Sequence, residues 1–209
     1  MLDMISFVNW FVKITGWPVY CILFRTKVTY EDKSVQGRHI RGPAIIVSNH
    51  TSVFDFAVML FVFLTRTLRY QMAELLFKKR FLGKFLRLLG GIYIDRSSSD
   101  MGFIGESAAV LKKGGVVGIF PEGRLPLPDE TPPIAFRPGA AYLSKASGVK
   151  VIPVYTNGSY FSKKRARVVI GRPMDPADFC GYETEKQNLE AFASAMRDKI
   201  VELRDMLDG

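Results

Sequence analysis

The stretch Ala44-Ile45-Ile46-Val47-Ser48-Asn49-His50-Thr51-Ser52-Val53-Phe54-Asp55 decides the fold. Its first five residues form a short, largely β-branched apolar run, the pattern of a buried strand. The run ends at Asn49-His50. Residues 53–64 then read as a helix, apolar nearly all round, with Asp55 in its first turn. A buried strand feeding directly into a helix is the repeating unit of α/β proteins.

The same alternation extends downstream. Residues 75–89 read as a helix with apolar and basic positions interleaved, closed by Gly90-Gly91, and residues 92–94 as a strand followed by Asp95-Arg96. Residues 102–113 form a helix stopped by Gly114-Gly115. Residues 116–120 form a strand entering Pro121-Glu122-Gly123-Arg124 and a proline-rich loop. Residues 138–147 are helical, 151–155 and 167–171 are strands, and 184–207 are a long charged helix. Residues 26–43, polar and carrying Gly37 and Gly42-Pro43, read as a turn or short hairpin. The expected fold is an α/β sandwich with a mixed, largely parallel sheet flanked by helices. Neither a repeat nor a linker divides residues 26–209, which read as one domain.

The chain is basic and apolar. Residues 1–174 hold 25 Lys/Arg against 11 Asp/Glu, and residues 175–209 hold 4 against 9. A basic, apolar body suits an anionic surface, and its apolarity favours lipid over nucleic acid. The basic residues are interleaved with aliphatics, without a nucleic-acid recognition motif. Cys21 and Cys180 have no metal-ligand spacing and read as buried, reduced thiols of a cytosolic compartment, with a disulfide left open.

Residues 1–25 are expected to be an N-terminal membrane-associated helical segment. The basic start of a signal peptide is missing. Asn9 and Lys13 interrupt the apolar run, and Gly16-Trp17-Pro18 would break it into two short pieces lying in one leaflet. Both tryptophans, Trp10 and Trp17, fall here, and tryptophan favours the membrane interface. The alternative is a helix packed on the domain. The 77–89 stretch likewise reads either as a face for an anionic bilayer or as a solvated basic face on a core helix.

Three polar clusters leave strand ends: His50 with Asp55, Asp95-Arg96, and Glu122-Gly123-Arg124. Ligands of open α/β sheets gather at such ends. His50 just before a helix and Asp55 one turn in allow the carboxylate to hold imidazole Nδ1–H and leave Nε2 as an acceptor. Helix capping also produces this spacing. No Gly-x-Ser-x-Gly elbow supplies a nucleophile, and His39 lies in a polar turn rather than beside a metal-ligand partner. The remaining chemistry is direct transfer, in which His50 deprotonates a hydroxyl that attacks an activated carbonyl such as a thioester. Gly123 permits close backbone approach, and Arg124 offers a fork for phosphate. Glu122 accepts from a hydroxyl or fixes an arginine, Arg96 or Arg137.

Asn49-His50-x4-Asp55, Gly90-Gly91-Ile92-Tyr93-Ile94-Asp95-Arg96, Phe120-Pro121-Glu122-Gly123-Arg124 and Val151-Ile152-Pro153-Val154 occur in that order, with Phe136-Arg137-Pro138-Gly139-Ala140-Ala141 between the last two. This set, spanning about residues 40–160, resembles the motif blocks of the glycerolipid acyltransferase superfamily, whose best-known bacterial members are 1-acyl-glycerol-3-phosphate acyltransferases. The resemblance implies His50 as general base with Asp55 as its partner. It implies Arg96, Glu122, Gly123 and Arg124 as acceptor-binding residues, and no metal. The implied partners are acyl-CoA or acyl-carrier protein as donor, a lysophospholipid acceptor giving phosphatidic acid, and anionic membrane lipid. No cofactor is implied beyond the donor. The implied place is the cytoplasmic face of the membrane, peripheral or monotopic. Two departures stand out. Arg124 follows Gly123 directly, where the family has Gly-Thr-Arg. Met72 and Ala73 precede Glu74-Leu75, where the family often has lysine, and Lys78, Lys79 or Arg80 would have to compensate. Both point to a different lysolipid acceptor as the alternative, and the basic, apolar surface alone would also suit a non-catalytic membrane protein that binds anionic lipid.

Overall fold

The computed structural model describes residues 3–94, 102–162 and 165–207. Its element order is α1 (Met4–Leu23), β1 (Lys27–Tyr30), β2 (Ala44–Ser48), α2 (Asp55–Val62), β3 (Leu68–Ala73), α3 (Glu74–Phe77), α4 (Arg80–Leu89), β4 (Ile92–Ile94), α5 (Gly102–Lys112), β5 (Val116–Ile119), α6 (Gly139–Ser147), β6 (Val151–Thr156), β7 (Arg167–Ile170) and α7 (Glu185–Asp205). The strands form one sheet in the order β1-β7-β6-β2-β5-β3-β4. Every pairing is parallel except β6 with β7. The expected mixed, largely parallel α/β sandwich is therefore the observed fold.

Strand alternation sorts the core into two layers. Ile46 of β2 and Ile152 and Val154 of β6 face one cluster, which holds residues of α1, α2 and α4. Ile45, Val47, Val117, Ile119 and Val151 face the other, with residues of α5, α6 and α7. Strand β2 is buried along its whole length, as its unbroken apolar run requires. Its carboxyl end lies between those of β5 and β6, and the site is built there.

The structure corrects several local expectations. The stretch 26–43 contributes β1, an edge strand, rather than only a turn. Strand β3 was not anticipated. Its apolar residues Leu68, Tyr70 and Met72 are buried, while Arg69 and Gln71 turn outward and bond Glu106 and Ser107 of α5. The 75–89 helix is broken at Lys78-Lys79. Leu76 and Phe77 of α3 pack against the same core cluster that holds Leu86 and Leu89 of α4. Helix α1 runs unbroken through Gly16-Trp17-Pro18. Trp17 and Tyr20 pack on the Phe61 ring of α2 at 6.2 and 4.5 Å, so tertiary packing outweighs the hydrogen bond that proline forgoes. Cys21 and Cys180 are free and both exposed, not buried.

Helix α1 is also inverted in polarity. Its buried residues are Asn9, Lys13 and Tyr20, whereas Phe7, Phe11, Ile14 and Ile22 are exposed. Asn9 donates to the Leu89 carbonyl at the end of α4, and Lys13 donates to the carbonyls of Phe63, Leu64 and Arg66 just past α2. The two polar side chains thus satisfy orphan carbonyls of two other helix ends. No helix among the described residues is long and apolar enough to cross a membrane.

Burial pulls the Lys13 ammonium down to about 8. Between that value and its ordinary one the unfolded chain binds the extra proton, so this lysine makes stability rise with pH. We expect urea unfolding at pH 7.5 and 9.5 to show the wild-type protein gaining up to roughly 2 kcal/mol on Lys13→Met over that interval. An unchanged difference between the two proteins would mean the lysine is not desolvated.

Candidate active site

His50 follows β2 and Asp55 opens α2, so the strand-to-helix junction alone brings them together. His50 Nδ1 lies 2.9 Å from Asp55 Oδ2. Asp55 is fully buried, and its charge is met by four further donors: the backbone N–H groups of Thr51 and Ser52 on Oδ2, and the hydroxyls of Thr51 and Tyr160 on Oδ1. With Asp55 accepting at Nδ1–H, Nε2 is the ring nitrogen left to accept a proton. Phe120 stacks on the imidazole at 4.3 Å, and Tyr70 stacks beneath Phe120 at 5.1 Å. Tyr70 fits there because its neighbour across the sheet is Gly118, where a Cβ would stand 2.2 Å from the phenol ring.

Asn49, directly before His50, is buried. Its Nδ2 donates to the Thr156 carbonyl and its Oδ1 accepts from the Thr156 N–H, both at 2.8 Å. The amide thereby imitates one more residue of strand pairing and ties the ends of β2 and β6.

Glu122 is nearly buried, and burial raises its carboxyl above the ordinary range. Its Oε1 accepts from the His50 N–H at 2.8 Å, and its Oε2 from the Ile134 N–H at 3.3 Å. Among the described residues it braces two loops rather than pairing with an arginine. Gly123 has φ +73, a backbone that favours glycine, and a Cβ there would lie 3.0 Å from Arg137 Nε. Arg124 turns outward into a two-pronged ion pair with Glu130 at 2.6 Å. Arg96 lies outside the described residues.

A cavity of about 200 Å³ opens beside His50. Its walls are mainly apolar, from Val53, Phe56, Met72, Leu76, Ile94, Phe103 and Ile119, with Gln71, Gly123 and Arg137 as polar and basic points. Met72 and Ala73, where the motif comparison looks for a lysine, line this cavity. Lys78, Lys79 and Arg80 are exposed and do not. Arg137 is the one arginine or lysine lining it among the described residues. Its backbone N–H donates to the Pro121 carbonyl, which holds it beside Gly123. Sequence reading named Arg137 only as a partner for Glu122. The basic residue in Phe136-Arg137-Pro138-Gly139 was the available signal.

The Acyltransferase family model matches residues 25–157. A 1-acyl-sn-glycerol-3-phosphate acyltransferase of Bacillus subtilis (strain 168) is 26% identical over 169 residues, covering 78% of this chain and 82% of that protein. The 1-acyl-sn-glycerol-3-phosphate acyltransferase beta of Homo sapiens is 29% identical over 157 residues, covering 72% of this chain but 54% of that longer protein. The crystal structure of the 1-acyl-sn-glycerophosphate (LPA) acyltransferase PlsC from Thermotoga maritima aligns with a TM-score of 0.69 over 98% of this chain and 84% of that one. At 21% identity it speaks for the fold alone.

Replacing Asn49 with alanine strands the buried N–H and carbonyl of Thr156. The expected loss is roughly 2–4 kcal/mol of stability, measured by chemical denaturation. A loss below about 0.5 kcal/mol would mean the Asn49–Thr156 bridge does not hold the two strand ends.

Proposed function

Because the chain belongs to the acyltransferase family, we propose that it moves a fatty acyl group from acyl-CoA or acyl-carrier protein to the free hydroxyl of 1-acyl-glycerol-3-phosphate, forming phosphatidic acid. The observation that carries the mechanism is the 2.9 Å contact between His50 Nδ1 and a fully buried, multiply bonded Asp55. Nε2 takes the proton of the acceptor hydroxyl as its oxygen attacks the thioester carbonyl. The tetrahedral intermediate collapses, the carbon–sulfur bond breaks, and the imidazolium returns the proton to the departing thiolate. The Asp55 carboxylate stabilises the imidazolium between those steps. No cofactor beyond the donor enters this sequence.

Arg137 is the best-placed group for the acceptor's phosphate, with Gly123 beside it admitting close approach. Glu122 acts on the acceptor indirectly, by fixing the loops of His50 and Ile134. Arg96 stands two residues after Ile94, which lines the cavity, and is assigned to the same headgroup. Arg124 would have to exchange Glu130 for phosphate. That ion pair favours a second reading, in which the acceptor is another lysolipid.

The reading also assigns the enzyme to an anionic membrane surface, at the cytoplasmic face. Its support is the outward apolar face of α1 together with Phe81, Phe85 and Leu88 of α4, with Arg80, Lys84 and Arg87 among them. Phe81 is 87% exposed and shares its helix face with the exposed Phe85 and Leu88, a grouping rather than a lone surface phenylalanine.

Turnover is measured as thiol released from the donor, above the background of the two free cysteines. His50→Ala should lower it about 10²- to 10⁴-fold, and near-full activity would remove His50 as the base. Arg137→Ala should raise the KM for lysophosphatidate about 10- to 100-fold. A lysolipid panel run alongside decides the acceptor, and a clear preference for another headgroup replaces the phosphate assignment. Because both tryptophans lie on α1, their fluorescence should shift blue with phosphatidylglycerol vesicles. A Phe81→Ser/Phe85→Ser protein should need more lipid for the same shift. An unchanged spectrum would remove the membrane face.

A further inference from the structure

Tyr160 belongs to none of the sequence motifs, yet it makes the most distant contact with Asp55. Its hydroxyl donates to Asp55 Oδ1 at 2.7 Å across 105 residues of chain. The other donors on Asp55 come from Thr51, Ser52 and His50 and are local to the 50–55 turn. On Oδ1 the only companion among the described residues is the Thr51 hydroxyl at 3.1 Å, a rotor that does not fix the carboxylate plane by itself. Tyr160 is therefore the tether that reaches Asp55 from the rest of the domain.

The direction of the hydrogens follows from counting. A phenol has one hydrogen, and here it goes to Asp55. In the 2.8 Å contact between Thr156 Oγ1 and Tyr160 O the threonine must then be the donor. Thr156 Oγ1 in turn accepts from the Gly158 N–H at 3.3 Å. The chain Gly158, Thr156, Tyr160, Asp55 runs one way, each bond polarising the next toward the carboxylate. Burial and the nearby Asp55 raise the Tyr160 phenol far above its ordinary value, so it stays a donor.

We propose that Tyr160 is a positioning residue for the His50–Asp55 pair, with Thr156 behind it, holding the Asp55 carboxylate in the plane that faces His50 and taking up part of its charge. This rests on the reading of His50 as the general base. In that role the carboxylate must favour the imidazolium during transfer without trapping it afterwards, and a phenol competing for the same charge sets that balance. The other titratable groups around the pair are Glu122 behind the His50 N–H, Tyr70 beneath Phe120, Tyr20 near Tyr160 and Arg137 in the cavity wall. None of them hydrogen-bonds Asp55 among the described residues.

Tyr160→Phe keeps the ring, which packs edge-on against Phe24 at 5.5 Å, and removes only the hydroxyl. With one donor fewer, Asp55 holds the imidazolium more strongly. The acid limb of kcat/KM against pH moves to higher pH, kcat on the plateau falls about 3- to 10-fold, and acceptor KM stays within about twofold, because Tyr160 does not line the cavity. Thr156→Val moves the limb the same way by less, and decides the matter if Tyr160→Phe does not fold. A folded variant whose profile superimposes on that of the wild type overturns the proposal. His50→Ala is run in parallel. If it is inactive while the profiles superimpose, only the positioning role falls; if it is active, the base assignment falls and the positioning role with it.

Discussion

A carboxylate taken wholly out of water must be surrounded by donors or give up its charge. Asp55 meets that demand with five donors, and most of the site is arranged around meeting it. The turn between β2 and α2 curls so that the Thr51 and Ser52 N–H groups point at one oxygen. His50 is drawn to the same oxygen, which fixes its tautomer and leaves the opposite nitrogen toward the cavity. Glu122, itself buried, holds the His50 backbone from the other side. Two acidic groups thus flank one histidine, one binding the ring and the other the main chain. The imidazole is left with little rotational freedom before a substrate arrives, which lowers the cost of reaching a reactive geometry.

The aromatic stack completes that restraint. Phe120 lies against the imidazole and Tyr70 against Phe120, and Tyr70 reaches that depth only because position 118 has no side chain. In the same core layer, α1 reverses the usual division of residues. Its polar side chains are spent on the carbonyls of other helix ends, and its apolar ones face outward. The interruptions at Asn9 and Lys13 are the means by which the helix attaches.

The α/β alternation was legible because five strands carry contiguous apolar runs and each feeds a turn with glycine, proline or a capping residue. Strand β3 lacks such a run: Leu68, Tyr70 and Met72 alternate with Arg69 and Gln71, and its only signal is that period of two. The His50–Asp55 pair was legible because its geometry is local to one junction. The partners of Glu122 were not legible, since they are main-chain groups with no sequence signature. The placement of Arg124 and Arg137 was hidden for the same kind of reason. A loop contact through the Pro121 carbonyl brings Arg137 to the cavity, while Glu130, six residues on, draws Arg124 away. Tyr160 could not be read at all, because nothing in its own neighbourhood points to a residue 105 positions earlier.

The one antiparallel pairing in the sheet has a consequence for where the chain spends its length. After β2 and β3 the chain leaves the edge where His50 and Asp55 lie by way of a helix. After β6 it turns back to pair antiparallel with β7, so residues 157–162 stay at the edge where the parallel strands end. That departure from the parallel plan places Thr156, Gly158 and Tyr160 around the turn that carries His50 and Asp55. A crossover there would take the chain elsewhere, and the carboxylate would have only its own turn to hold it. The return of the chain into β7 converts the last inner strand from a piece of scaffold into a second wall around the His50–Asp55 turn.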